Sequence, residues 1–570
     1  MRASEERAPL LVLSLAAGIA VAPLVFYGPS YGHDFDFHLL NWMEAARQFS
    51  HGNLHPSWAY SPAYNAGEPR FVFYPPLSWT VGALLGLLLS HFPAISPESA
   101  WTAVPVVYTW ICLVASGVAM YRVARHFAGS NAALIGSVLY LANPYMLFAA
   151  YERTAYAELL AAALMPLLLF AALSERVRAS RIAVPIALLW LTNAPAAVIG
   201  CYTLAILVIL RLVFGSHRTD SLLRVLREVA LPAAAGLVIG VGLAAFYFIP
   251  AAWERRFVQV SMATILEMRI DHNFLFEHTG TSADAVTHDQ VLRTASWIAI
   301  TLVLAGVATL VACWIQQRRG KSIEPGTQRL PVGILLSLVG IIAVLLTPVG
   351  NPVWQHAPEL RFLQFPWRFL TVVTPVFALA VAAALSTVRL NRLMTVAVTC
   401  LSEAALVAFA YLPFHQVCDP DESIASQMHA FQQSLGAEPT DEYTPQTADN
   451  DALTPGKPGY WLAAVPSAPA PPNSQPGITP PHFSVTAPRA EYLILNLRNY
   501  PAWRVELNGE RAIEREQRRD GLIAIPIPPG TSTIDLRYAR MLDDKVGISV
   551  SIVSVLILLG LHRREKHLDV

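Results

Sequence analysis

The sequence predicts a polytopic α-helical membrane protein of about twelve spans, with a small all-β module near its C-terminus. Three observations carry this. The 570 residues are 54% hydrophobic and only 14% charged, whereas soluble domains carry about 25% charged residues. Several apolar runs reach roughly 18 residues or more, the length a helix needs to cross a bilayer. After residue 480 the pattern changes to short, β-prone or alternating runs separated by turn residues. The formal net charge is zero, with charge distributed by side of the membrane, and no nucleic-acid partner is expected. Of the five cysteines, Cys112, Cys201, Cys313 and Cys400 lie inside apolar runs and only Cys418 in a polar region. That distribution supports neither a disulfide framework nor a metal-spaced set.

The first apolar run, 9–27, follows a short basic stretch but exceeds a signal-peptide core, and its small-residue stretch Ala20-Val21-Ala22 runs into Pro23. It reads as a retained helix. Further spans are expected at 101–120, 131–149, 157–173, 182–195, 197–214, 229–249, 295–315, 330–347, 368–386, 394–413 and 546–561. The segment 75–92, "PPLSWTVGALLGLLLSHF", decides the topology, because every later loop changes side if it crosses. If it does not cross, "YRVARHF", "SERVRASR", "SHRTDSLLRVLRE", "WIQQRRGK", "STVRLNR" and the tail "HRREK" all face the cytoplasm. That is where short basic loops accumulate. Both termini are therefore expected in the cytoplasm. The short, proline-containing pair around "LTNAPAAVIG" fits the span count least well.

This topology places 28–100 outside as a long first loop within a membrane domain of residues 1–413. Phe35, Leu39, Trp42, Ala46 and Phe49 recur at helical spacing, so a helix resting its aromatic face in the headgroup layer is expected, ending near Gly52. "YPPL" opens a second such helix, proline being tolerated in a first turn. Other outward pieces are 150–156, 250–294 and 348–367. Residues 414–482 are rich in Pro, Ser, Asn and Gly and read as irregular. Residues 483–541 read as the β module, with Asn508-Gly509 as a hairpin turn. Residues 542–570 supply the last span and a cytoplasmic tail.

Three clusters on the expected outer face carry chemistry. In "YGHDFDFHLLNW" (31–42), Asp34 and Asp36 stand among His33 and His38. Asp34 as a helix N-cap explains one aspartate and neither histidine. The functional reading is a carboxylate serving as general base, or as ligand to a phosphate-clamping divalent metal ion, with His38 one turn on. In "AAYERTAYAELL", Glu152 and Arg153 at a membrane edge fit snorkelling into headgroups. Glu158, one turn into an apolar helix, is costly and so a candidate for function. In "PELRFLQFPWRFL", Arg361 and Arg368 are interleaved with aromatic residues. Either this is an aromatic belt, or the guanidinium groups clamp a lipid phosphate under apolar cover. Arg255, Arg256, Asp271, His272 and His278 read as solvated loop charges.

The motifs "GHDFDFHLLNW", "FVFYPPL", "RTAYAELLA", "LRFLQFPWRFL", "DEYTP" and "NYPAWRVELNG…DGLIAIPIPPG" resemble those of the bacterial 6-pyruvoyl-tetrahydropterin synthase-related membrane proteins. The broader pattern resembles the GT-C glycosyltransferases: an acid-bearing first loop, two interfacial helices and a second acid at a later span. The resemblance covers most of the chain and, despite the label, carries no implication of pterin chemistry. It implies a GT-C-like fold and transfer of a sugar from a polyprenyl-phosphate-linked donor to an envelope glycan, lipid or protein acceptor. By position, Asp34 or Asp36 would be the base and Glu158 the second acid, a position where several relatives carry Asp. His33, His38, Arg153, Arg361 and Arg368 would contact substrate. A transporter or flippase of a lipid-linked glycan is the competing class, although the ionisable groups gather at the membrane edge rather than its midplane. A non-enzymatic envelope scaffold is the third.

Overall fold

A computed structural model describes residues 2–216, 222–319, 327–388 and 391–567. Among them, ten helices are long and apolar enough to cross a bilayer: Arg7–Tyr27, Pro97–Ala124, Ser130–Tyr151, Tyr156–Leu173, Ala194–Phe214, Leu222–Leu243, Ala283–Arg318, Pro366–Leu385, Leu393–Phe414 and Leu542–Lys566. The other two expected spans are shorter. Residues 182–195 fall on the 14-residue helix Ala179–Thr192, and 330–347 on Val332–Leu345, which turns by 94° into Pro348–His356. The protein is a polytopic helical membrane protein with two small C-terminal sheets.

The helix Pro76–Ser90 has 15 residues, about 22 Å, which falls short of a ~30 Å hydrocarbon core. It runs antiparallel to the start of Pro97–Ala124. The Tyr108 hydroxyl donates to Ser78 O at 3.2 Å, while a side chain at Gly86 would meet the Trp101 ring at 2.5 Å. Pro76–Ser90 and Pro97–Ala124 thus form an antiparallel hairpin. The described parts of the basic loops meet at one face. Gln328 N donates to His126 O at 2.7 Å, Val177 N to Glu228 O at 3.3 Å and Arg211 Nη1 to Ser174 O at 2.8 Å. Ser180 donates to Glu565, and His126 stacks on Phe170. Parts of the expected cytoplasmic loops, 217–221, 320–326 and 389–390, and the terminal 568–570 lie outside the described residues. At the opposite face Tyr31 N donates to Gln416 O at 3.2 Å and Leu275 N to Leu346 O at 3.1 Å.

The first-loop helix forms over Phe35–Ser50, but its apolar face rests on protein rather than lying open to headgroups. Phe35, Leu39, Trp42 and Ala46 are all at most 4% exposed. Trp42 stacks on Tyr108 at 5.1 Å, so close to Pro76–Ser90 that a side chain at Gly82 would sit 2.3 Å from its ring. The polar side is also buried. Glu44 accepts from Ser61 N and Ser61 Oγ, each at 2.6 Å, and from Arg47 at 2.8 Å. Burial of a carboxylate requires this saturation.

The β module has two sheets, ordered β1–β3–β6 and β2–β7–β4–β5. The strands are β1 Tyr460–Ala463, β2 His482–Ala487, β3 Glu491–Arg498, β4 Trp503–Leu507, β5 Glu510–Arg511, β6 Leu522–Ile527 and β7 Gly530–Tyr538. Asn508 and Gly509 close the β4–β5 hairpin at φ +53° and +82°, the geometry Asn-Gly favours. The stretch 414–482, expected to be irregular, also holds the helix Ile424–Gln432 and strand β1. A four-residue strand flanked by prolines fits only a sheet edge, where β1 lies. Leu493, Leu495, Ile523, Ile525, Val505 and Ile534, all 0% exposed, fill the space between the sheets. The other side of β3 and β6 packs Ile494 and Ala524 on Ala63 and Ala66 of the first loop.

Trp58 of the first loop is 2% exposed and sits among Tyr500, Trp503 and Tyr538 of the module. Replacing it by Ala is expected to cost about 3–5 kcal/mol, read as a lower thermal midpoint of the purified protein; an unchanged midpoint would show that loop and module do not share a core.

Candidate functional site

A cavity of ≈ 730 Å³ opens at the face that carries the β module. Its wall draws on the first loop, the Glu152–Glu158 segment, the Gln364–Arg368 turn, the long helix Ala283–Arg318 and the segment around Tyr443. The short helix Ala179–Thr192 ends here, since Asn193 lines the cavity while Ser180 bonds Glu565 at the opposite face. A span that stops at a cavity floor needs fewer turns, which accounts for its length.

The charged groups form one string. Arg153 Nη1 pairs with Glu158 Oε2 at 2.7 Å, and Arg153 Nη2 lies 3.6 Å from Asp34 Oδ2. Arg368 Nε lies 3.9 Å from Glu158 Oε2, and Tyr145 donates to Glu158 Oε1. Glu158 is therefore saturated, whereas Asp34 keeps a 43% exposed side chain facing the cavity. Although burial alone would lower it, the carboxylates of Glu158 and Asp34 hold the Arg153 guanidinium above its ordinary range. Arg153 also lies over the Trp367 ring at 4.9 Å. Arg368 Nη1 donates to Leu363 O at 2.7 Å, but its buried Nε has no hydrogen-bond partner.

Backbone contacts fix this string. Asp34 N donates to Arg153 O at 3.0 Å and His33 N to Glu152 O at 3.3 Å. Gly32 is needed there, because a side chain would meet Glu152 O at 2.3 Å. Thr154, fully buried, takes φ +48°, an uncommon conformation for a β-branched residue, and turns the chain between Arg153 and Tyr156. Asp34 occupies the N-cap position without a side-chain cap bond, so capping does not consume its carboxylate.

The structure separates the sequence candidates. His33, Asp34, His38, Arg153, Glu158 and Arg368 line the cavity; Asp36 and Arg361 do not. Asp36 is exposed and accepts from Gln427 on the Ile424–Gln432 helix. Two residues along a helix are about 200° apart around its axis, so the two aspartates face opposite ways. Arg361 is exposed and donates to Gln355 O at 2.7 Å. Its seven-residue spacing from Arg368 would share a helical face, but Gln364 at φ +62° breaks the helix between them. Glu152 does not snorkel: it is 8% exposed and accepts from Gln416 at 2.6 Å.

Several wall residues were not singled out from the sequence: Tyr74, Gln364, Glu442 and Tyr443; nor was Tyr145, which stands behind the wall on Glu158. Glu442 and Tyr443 belong to "DEYTP", a motif whose acid–aromatic pair was the available signal. Burial pushes the Glu442 carboxyl above the usual carboxylate range. Tyr443 stacks on Phe73 at 5.7 Å, and the neighbouring Thr440 ties to Glu68 and Arg70 at 2.7 and 2.6 Å.

The family model described as 6-pyruvoyl-tetrahydropterin synthase related domain, a membrane protein, matches residues 71–414. No curated protein sequence matches the chain. Among solved structures, arabinofuranosyltransferase AftD from Mycobacteria aligns at 19% identity and TM-score 0.37, over 70% of this chain and 26% of that one. The Archaeoglobus fulgidus oligosaccharyltransferase AglB, in complex with an inhibitory peptide and a dolichol-phosphate, aligns at 15% identity and TM-score 0.42. That alignment covers 77% of this chain and 61% of that one. The chain thus spans about a quarter of the first protein's length and about three-fifths of the second's.

His38 supplies a test of the wall. It is 2% exposed, with the rings of Trp42, Tyr74 and Tyr156 around it, and burial pushes its imidazole down to about 4 from the ordinary 6.5. Between those values the folded protein binds fewer protons than the unfolded chain. The stability so gained is complete above pH 6.5 and is lost as pH falls through 4, a span of about 3 kcal/mol. His38→Gln is expected to flatten the acid-side decline of the thermal midpoint; a decline identical to wild type would place a different group in control.

Proposed function

This chain belongs to the 6-pyruvoyl-tetrahydropterin synthase related family of membrane proteins, and we propose that it is a GT-C-type glycosyltransferase. In this reading it moves a sugar from a polyprenyl-phosphate-linked donor to an envelope acceptor. The observation that supports it is the string Asp34–Arg153–Glu158–Arg368 along one wall of a cavity at the end of the helical bundle. The arginine-bearing loops collect at the other face of the bundle, which the positive-inside bias assigns to the cytoplasm. The cavity and β module then face outward, with both termini inside.

A polyprenyl phosphate stays in the bilayer, so its glycosidic bond is presented at headgroup depth. Asp34, the one carboxylate of the string with exposed surface, takes the proton of the acceptor hydroxyl. The acceptor oxygen attacks the anomeric carbon, the bond from that carbon to the phosphate oxygen breaks, and its electron pair leaves with the phosphate. Arg368, whose Nε is unpartnered, and Arg153 stabilise that anion. Glu158 is a positioning residue: it balances the two guanidinium groups and, with Tyr145, holds them in place. Phe362, Phe365 and Trp367 give the prenyl chain an apolar bed.

A divalent cation does not fit this donor set. Arg153 stands between Asp34 and Glu158, and its charge occupies the place a metal ion would take. A monophosphate leaving group carries less charge than a diphosphate, which lessens what Arg153 and Arg368, partly offset by Glu158, have to stabilise.

The purified protein, placed in vesicles with a labelled polyprenyl-phosphate sugar and acceptor lipid extract, is expected to release free polyprenyl phosphate. Asp34→Asn should reduce the rate at least about 10²-fold, and Asp36→Asn should stay within a few-fold of wild type. Translocation of the intact lipid without release would establish a flippase, and full activity in Asp34→Asn would remove the proposed base.

A further inference from the structure

A second acidic group lies apart from the cavity, where the β module meets the membrane domain. Glu254 ends the helix Ala245–Glu254, and Asp543 and Asp544 open the last helix, Leu542–His567. They are 1%, 6% and 9% exposed, and one carboxylate oxygen from each lies within 4.8 Å of the others. Glu254 accepts the Tyr500 hydroxyl, and Asp544 accepts Met541 N at 3.0 Å. Asp543 is different: its carboxylate faces that of Glu254, and its buried Oδ2 accepts from no donor. Arg540, three residues before it, donates to His55 O at 3.3 Å and forms no ion pair with the three, although its charge acts on Asp544 from a distance.

Three buried carboxylates so close together repel one another, and an uncompensated buried charge is costly. Among the described residues no basic side chain pairs with any of them. Oxygen-only ligands select a hard cation, and oxygens up to 4.8 Å apart accommodate Ca²⁺ with its 2.3–2.6 Å bonds. Mg²⁺ demands tighter octahedral geometry and retains several waters, for which a buried group of this kind is less suited.

We propose that Glu254, Asp543 and Asp544 form a Ca²⁺ site that fastens the β module and the last span to the Ala245–Glu254 helix. The unpartnered Asp543 oxygen is its open ligand. The link reaches the cavity wall, because Tyr247 on the same helix donates to Phe73 O at 2.7 Å, one residue before Tyr74. The site is independent of the transfer chemistry and stands whether or not that reading holds.

The test uses the full chain in detergent, stripped with EGTA and titrated with Ca²⁺ alone, read by equilibrium ⁴⁵Ca²⁺ binding and by the thermal midpoint. Saturable binding is expected, with a midpoint that rises on addition and falls back with EGTA. Glu254→Gln/Asp543→Asn should weaken binding at least tenfold and abolish the Ca²⁺-dependent rise. Should the double variant fail to fold, Asp543→Asn alone carries the comparison, since it keeps the side-chain shape and removes only the unpartnered carboxylate. Absence of saturable binding to the wild-type protein overturns the proposal, as does wild-type affinity in a folded variant.

Discussion

The site depends on one buried ion pair, Arg153 with Glu158 at 2.7 Å. Both residues are less than a tenth exposed, and a lone charge in that setting would be prohibitive. Paired, they create a fixed positive group beside a carboxylate that retains solvent access. Asp34 lies at the edge of Arg153's reach, Arg368 at the edge of Glu158's, and Tyr145 takes the remaining Glu158 oxygen. A cavity-facing carboxylate and a fixed guanidinium, the proposed base and anion-binding group, are thereby held within one short chain of contacts. Preorganisation of this kind is what the proposed stabilisation of a leaving phosphate requires.

The rest of the molecule holds that pair in place. The Phe35–Ser50 helix is locked between Pro76–Ser90 and Pro97–Ala124 by the Trp42–Tyr108 stack, which fixes where Asp34 enters. The first loop is in turn anchored outside the bundle by Trp58 in the β-module core and by Arg70 on Thr440. The β module thus does more than sit on the last span. It completes the loop that carries the proposed base, and its neighbouring segment contributes Glu442 and Tyr443 to the cavity.

Much of this was legible in the sequence, for reasons that can be named. Apolar length reported the spans and Asn508-Gly509 the hairpin. Hydrophobic periodicity located the Phe35–Ser50 helix but overstated its freedom, because apolar residues bury equally well against protein and lipid. Choosing between Asp34 and Asp36 needed the helix phase relative to its neighbours, which a lone sequence does not contain. Arg361 and Arg368 looked equivalent until the left-handed Gln364 broke their register. Strand β1 was hidden by a proline-rich context that masks short ordered pieces. The carboxylates Glu254, Asp543 and Asp544 are separated by almost 300 residues and meet only through the fold.

In the proposed reading the Arg153–Glu158 pair builds a receptor for a lipid-linked phosphate beside Asp34. An electron cryomicroscopy structure of the protein in nanodiscs with a polyprenyl monophosphate is the decisive measurement. Phosphate density is expected between Arg153 and Arg368, with the prenyl chain against Phe365 and Trp367. Phosphate bound instead at the arginine-rich face, with this cavity empty of lipid, would rule that receptor out.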